Sequence, residues 1–287
     1  MHHERLSRQL AGTFHYIAKA RAGRSKLIHA VQPPKTSLAP TAINRITFIP
    51  REITLVLGVA ALLLVLASVT GQLLKYIGGH EFVYGLVRLF YVDYENTVPS
   101  FFSASLLLMA ALLLALITTL KQAAHATYKF QWALLSFTFL FMAIDEAASI
   151  HEMLIGPMRG LLGQQARGVF FFAWVIPGFA IAMIFGLSYL QFLLHLPFKT
   201  RWNVILAATL YLGGAIGMEL IGGRYADVNG MENLTYSMAA TVEESLEMAG
   251  VIVFIYALLH YITDNYQEIR VQLDHTAACS PFSVPRA

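Results

Sequence analysis

Six long apolar segments, separated by short polar stretches, dominate the pattern of this chain. About 20 residues of helix cross a hydrocarbon layer about 30 Å thick, so each of these segments is long enough to span a membrane. They comprise residues 53–77, 99–120, 130–150, 169–196, 202–222 and 238–262. They are too long and too uniformly apolar for barrel strands, and helices satisfy their own backbone hydrogen bonds in lipid. The pattern predicts an all-α, polytopic membrane bundle of six transmembrane helices within residues 53–263.

The composition agrees with this class. The chain of 287 residues is 57% hydrophobic and 13% charged, whereas soluble domains are about 25% charged. Its single cysteine, Cys279, excludes an internal disulfide and a cysteine-based metal site. The first apolar segment is too long for the core of a cleaved signal peptide, so we expect it to remain as a membrane span.

Lysine and arginine set the expected orientation. Nine of the 20 such residues fall within residues 1–52, and positively charged segments stay on the cytoplasmic side. This bias predicts a cytoplasmic tail over residues 1–52 containing a basic amphipathic helix attracted to anionic membrane lipids. Six crossings then place residues 264–287 in the cytoplasm as well. No recognition module accompanies the basic tail, so we expect no nucleic-acid partner.

Acidic residues interrupt the apolar segments at one side of the predicted membrane. The third span runs outward to an Asp-Glu-x4-His-Glu sequence, the fifth runs outward to a glutamate, and the sixth begins with a Glu-Glu-x-x-Glu sequence. These candidate site residues are Asp145, Glu146, His151, Glu152, Glu219, Glu243, Glu244 and Glu247. Because an ionised group in a bilayer costs at least a few kcal/mol, such residues generally face the bundle interior and carry function. We expect them on the periplasmic side of a bacterial inner membrane.

Helical geometry indicates which of these groups converge. In a continuous helix, Asp145, Ser149 and Glu152 share one stripe, while His151 points away. The three acids of the sixth span are three and four residues apart, so they share one face. Small residues before Glu219 allow another helix to approach closely in lipid: Gly213, Gly214 and Gly217.

Several carboxylates held together repel one another, and a bound divalent metal relieves that repulsion. Carboxylates with an imidazole suit Mn, Fe or Zn, and carboxylates alone suit Ca. The hypothesis assigns Glu244 or Glu146 as the catalytic proton acceptor. It assigns as direct metal ligands Asp145, His151, Glu152, Glu219, Glu243 and Glu247. The sixth span carries Glu-x-x-Glu rather than the Glu-x-x-His of di-iron bundles, a departure from that class.

Three functions fit this pattern. The first is a metal-dependent membrane enzyme that hydrolyses or oxidises a lipid-like substrate at the outer leaflet. The second is a proton- or cation-coupled transporter, although the inner halves of the spans offer chiefly hydroxyl and amide groups. The third is an accessory subunit whose partners are other membrane subunits. A simpler interpretation leaves the acids among lipid headgroups or paired with basic residues: Arg159, Arg167 and Arg224.

Two further segments bear on the site. Residues 78–98 and 224–236 follow spans on the acidic side, and we expect them to cover the acidic residues as a lid. Pro177-Gly178 predicts a kink within the fourth span. Trp174 lies near a span end and is interpreted as an interfacial anchor.

Overall fold

The computed structural model describes residues 49–80, 82–124, 126–163 and 167–266. All regular elements within these ranges are helical. The predicted amino-terminal surface helix and most of the predicted carboxyl-terminal tail lie outside the described residues, as does Cys279.

The first half of the fold contains three long helices and one short one. They are α1 (Pro50–Tyr76), α2 (Leu86–Leu89), α3 (Val98–Ala123) and α4 (Lys129–Ala148). Helix α3 starts with a capping box, in which Thr97 and Ser100 each accept a hydrogen bond from the other's backbone N–H. Pro99 occupies the first turn, where its missing N–H would have no helical partner.

Helix α4 ends abruptly at the acidic sequence. Ser149 adopts the left-handed conformation, with φ of 50°, which stops the helix. A 3₁₀ turn (His151–Leu154) and α5 (Ile155–Leu162) then leave at an angle of 77° to α4. The predicted stripe through Asp145, Ser149 and Glu152 is therefore wrong, because it required one continuous helix.

The fourth predicted span is divided. A 3₁₀ turn (Gly168–Phe170) and a loop precede α6 (Val175–Ser188) and α7 (Leu190–His195). Pro177 lies in the first turn of α6 rather than in the middle of a helix. The predicted mid-span kink is therefore absent from α6, since a proline in the first turn removes no intrahelical hydrogen bond.

The last two spans are longer. Helix α8 (Phe198–Leu212), a π-helical segment (Gly213–Met218) and α9 (Glu219–Asn229) form one 32-residue span. Helix α10 (Leu234–Asn265) follows, its first turn capped by Asn233, which accepts a hydrogen bond from the Tyr236 N–H. Helix α10 is the most enclosed of the four long spans: 56% of its apolar stretch is buried, compared with 11% in α1.

Two glycines allow α8 and α10 to approach closely. A Cβ atom on Gly250 of α10 would lie 2.7 Å from the backbone nitrogen of Tyr211 and 2.9 Å from the Ala207 carbonyl oxygen. A Cβ atom on Gly214 would lie 2.8 Å from both the Glu243 carbonyl oxygen and the Glu247 Cγ atom. Small residues therefore bring the acidic part of α10 against the π-helical segment.

Buried polar contacts join α1 to α10. The Gln72 amide donates to the Ser68 hydroxyl at 3.1 Å and to the Thr241 hydroxyl at 2.8 Å. Ser68 also accepts a hydrogen bond from the backbone N–H of Val92, at 3.1 Å. The hydroxyls of Tyr91 and Ser237 are hydrogen-bonded to each other. These contacts hold the segment before α3 against the bundle.

Four helices in the described ranges are long and apolar enough to cross a membrane, and the α4–α5 pair, bent by 77°, adds a fifth if it forms a single span. The four coincide with the first, second, fifth and sixth predicted spans. The chain is an all-helical, multi-pass membrane protein.

Candidate functional site

A cavity of about 580 Å³ lies between α4, α6, α8 and α10. All eight predicted site residues line it, and all of them lie toward one end, which we call the acidic end. The opposite end, which we call the apolar end, is lined by large hydrophobic side chains that include Trp132, Phe192, Leu196 and Leu258. The cavity thus has the polarity of an amphiphile.

Asp145 and His151 form a closely fitted pair at the acidic end. One Asp145 oxygen accepts the His151 backbone N–H at 2.7 Å, and the other lies 2.9 Å from the imidazole Nδ1 atom. Because both carboxylate oxygens are engaged, Asp145 orients the imidazole and leaves its Nε2 atom available. The His151 ring also contacts Trp174, at 4.6 Å between ring centres. The turn after Ser149 therefore brings His151 back toward Asp145.

Glu219 is positioned by an element outside its own helix. The Trp174 indole N–H donates to Glu219 Oε1 at 2.8 Å. The carboxyl group of Glu243 lies near that of Glu219, and two carboxylates so placed repel each other unless a proton or another cation balances their charge. Glu219 directly follows the π-helical segment, and π-helical turns occur frequently at functional sites.

The loop that carries Trp174 is tied down by its neighbours. Arg159 donates through Nε and Nη2 to the Phe171 carbonyl oxygen, at 3.1 and 2.6 Å. The Gly168 N–H donates to Asp227 of α9 at 2.9 Å. Trp174 thus has a polar role that its position near a span end did not reveal.

Three of the remaining acids come from α4 and α10, and Glu152 belongs to the 3₁₀ turn after α4. The Tyr211 side chain lies close to the Glu247 carboxyl group. Glu146, Glu244 and Glu247 lie close enough to repel one another electrostatically. Helices α4, α9 and α10 therefore all contribute carboxyl groups to the cavity.

Two further acids, Asp93 and Glu95, also line the cavity. They belong to the segment before α3 that was expected to act as a lid, and their acidic, aromatic sequence was the available signal. Partial loss of hydration among the surrounding side chains, and then the negative charges of Glu219 and Glu152, raises the pKa of Asp93 to about 7, although the residue itself is exposed.

The charge of the cavity is strongly one-sided. Its described lining includes nine carboxyl groups and one imidazole but no lysine or arginine. Arg159 binds a backbone carbonyl instead, and no ion pair joins Arg167 or Arg224 to these acids in the part of the chain that the structure describes. Such a set of carboxyl groups requires protons or a bound cation for charge balance.

The arrangement does not contain a formed metal centre. Within the described ranges, no group of three or more His, Cys, Asp or Glu side chains is placed to hold a metal ion. The predicted ligands line one cavity without being gathered around one point. Metal binding would therefore require side-chain rearrangement, and Asp145 could bind a metal directly only by releasing His151.

The fold and the cavity define a multi-pass membrane protein with an internal cavity that is acidic at one end. Residues 56–262 match the family described as "Domain of unknown function (DUF8692)". Because this match covers most of the chain, the chain belongs to that family. No curated protein and no solved structure matches it.

Proposed function

We propose that this chain is a membrane enzyme that hydrolyses a lipid-like substrate with the help of a divalent metal ion. The observation that carries the proposal is the single cavity with carboxyl groups at one end and hydrophobic side chains at the other. An amphiphile placed in it would set its headgroup among acids and its hydrocarbon chain among apolar groups.

A route from the lipid phase supports this assignment. Phe141 of α4 and Ile181 of α6 line the cavity and are 51% and 66% exposed, so they lie at its lateral opening. The opening is bounded at one end by the His151–Trp174 contact and at the other by the Tyr189 hydroxyl, which donates to the Gln131 carbonyl at 2.9 Å. A substrate would enter sideways between α4 and α6.

The unpaired excess of carboxyl groups supports a bound cation. Glu219, Glu243 and Glu247, together with Glu152 and the His151 Nε2 atom, are the donors available to it. Asp145 would hold the imidazole, as carboxylates commonly do for histidine ligands. A metal at this position would activate water.

The reaction then needs only water and the substrate. Water attacks an ester or amide carbonyl, a new C–O bond forms, and the bond to the leaving group breaks. Glu244 or Glu146 accepts the proton from water and returns it to the departing oxygen or nitrogen. The glutamate that acts in this way is a carboxylate again when the reaction ends, because it has passed on the proton that it received.

The proposed setting is a bacterial inner membrane, with both termini in the cytoplasm and the acidic end near the periplasm. In this arrangement α6 and α7 together form the fourth of the six crossings. The excess of basic residues in residues 1–52 supports the orientation.

Elemental analysis of detergent-purified protein tests the proposal. We expect bound Mn, Fe, Zn or Ca, and a lower Tm after chelation. Glu243→Gln should lose the metal, whereas Glu232→Gln should retain it, since Glu232 is 82% exposed and pairs with Lys75. Protein that contains no divalent metal and has an unchanged Tm after chelation would overturn the metal-dependent mechanism.

The transporter and accessory-subunit hypotheses stay predictions. The hydrophobic lining of the apolar end favours a hydrocarbon occupant over an ion path. Ion flux into vesicles that disappears in Glu219→Gln would favour the transporter. Isolation from native membranes in a stable complex with other subunits would favour the accessory role.

A further inference from the structure

We propose that the cavity selects its ligand by acyl-chain length, with Trp132 and Phe192 as the side chains that stop the chain. The inference depends on the proposed function only in taking the occupant to be lipid-like. It requires neither the metal nor the hydrolytic step.

The depth of the apolar part matches one lipid tail. Along α10, the cavity lining runs from Tyr236 to Leu258, and its apolar part extends from Glu247 to Leu258, a distance of roughly 16 Å at the α-helical rise. This is about half of a hydrocarbon layer about 30 Å thick. The apolar part is thus as deep as one leaflet, so a single acyl chain with its headgroup at the acidic end would fill it.

A wall of side chains closes the apolar end. A second cavity of about 180 Å³ begins on the far side of Trp132, Phe192 and Leu196, which line both spaces. The two rings meet edge to face, with 5.0 Å between their centres. All three side chains are at least 95% buried. The wall between the two cavities is therefore made of side chains rather than backbone.

Neighbouring aromatic residues hold the wall in place. Trp132 also packs on Tyr261 of α10, with ring centres 5.0 Å apart. Phe192 packs edge to face on Tyr128 and on Tyr189. An acyl chain that reached these rings could not lengthen without displacing them, and such displacement is costly in a well-packed core.

This arrangement predicts a length optimum. Each methylene that still fits within the cavity should strengthen binding, because it makes contacts with side chains that a shorter acyl chain leaves unfilled. Beyond the wall, further methylenes should weaken binding, because a longer acyl chain must displace the packed rings. Removing the Phe192 ring should join the two cavities and add up to about 180 Å³ at the apolar end.

The full-length protein in detergent, titrated with lysophosphatidylcholines of increasing chain length, tests the proposal by native mass spectrometry. Wild type should show an optimum length, and Phe192→Ala should move it to longer chains. Phe137→Ala is the matched control, because Phe137 is 66% exposed and does not line the cavity. This control should keep the wild-type optimum.

A second variant makes the test independent of Phe192. Gly186 lines the cavity, and a Cβ atom there would meet nothing within 4 Å. Gly186→Leu should therefore fold and move the optimum to shorter chains. Two results would overturn the length selection alone. One is equal binding of all chain lengths, and the other is an optimum that stays at the wild-type length in both Phe192→Ala and Gly186→Leu. Failure of every lipid to bind wild type would overturn the lipid-like occupant as well.

Discussion

At the residue scale, neighbouring groups decide what each acid at the site can do. Asp145 has both oxygens engaged by His151, while Glu219 takes one hydrogen bond from Trp174. Glu247 lies beside the Tyr211 side chain. A list of acids along the sequence treats these groups as equivalent, whereas their partners make one an orienting group and leave others free for a ligand.

Asp93 provides a pH-dependent test at this scale. Its pKa is about 7, above the usual 3.8 for aspartate. Between these values the folded state keeps the proton that the unfolded state has released, so the free energy of unfolding falls as pH rises. Asp93→Asn should remove this contribution, so the Tm of the metal-free variant should decline less than that of metal-free wild type across this pH window.

Differential scanning fluorimetry with chelator present measures this difference. Above about pH 7 the Asp93 contribution should be constant, so the two Tm curves should run parallel there. Curves that are parallel over the whole range would contradict a raised pKa of Asp93 near Glu219 and Glu152.

At the element scale, the contact between the π-helical segment and α10 sets the position of the acids. Gly214 lies against the backbone and side chains of α10, at Glu243 and Glu247. A Cβ atom on its neighbour, Gly213, would meet nothing within 4 Å outside the backbone of its own helix. Two adjacent glycines therefore make very different contacts.

Alanine substitutions at these two positions test the contact. Gly214→Ala should lower the free energy of unfolding by about 1–3 kcal/mol, because its Cβ atom would meet a backbone carbonyl that cannot easily move. It should also weaken metal binding by displacing Glu243 and Glu247. Gly213→Ala should be neutral or slightly stabilising, since alanine favours the helix. Chemical denaturation in detergent measures both variants, and equal effects would contradict the close approach.

At the scale of the whole molecule, apolar helices enclose a space that accepts polar and apolar groups at opposite ends. Helix α10 lies at the centre of the bundle, and α1 is held to it through Gln72 and Thr241. The segment before α3 is attached to the same pair of helices, and it carries Asp93 and Glu95 to the cavity. The cavity therefore draws its polar lining from elements far apart in the sequence.

Cysteine labelling tests the proposed orientation of the whole molecule. In a Cys279→Ser background, Glu232→Cys should react with an impermeant maleimide added to intact cells, because it lies beside the acidic end of α10. Lys199→Cys, in the first turn of α8 at the opposite side, should react only after permeabilisation. The reverse pattern would invert the proposed topology, and labelling of both sites in intact cells would contradict six crossings.

The sequence predicted the long helices well but missed how they meet. Four spans coincide with the apolar segments, and all eight proposed site residues line one cavity. The continuous helix through Ser149 was wrong, because the left-handed backbone there returns His151 to Asp145. Asp93, Glu95 and the polar role of Trp174 were also missed, since they depend on contacts between distant segments.

The sequence by itself determined a helical membrane protein, because hydropathy is a local property and each helix satisfies its own backbone hydrogen bonds. It also determined which segments carry acids. Only the tertiary structure decided which acids have partners, where a cavity remains and where Trp132 and Phe192 close it. Those features arise from close approaches such as Gly214 to α10, and they depend on residues that are far apart along the chain.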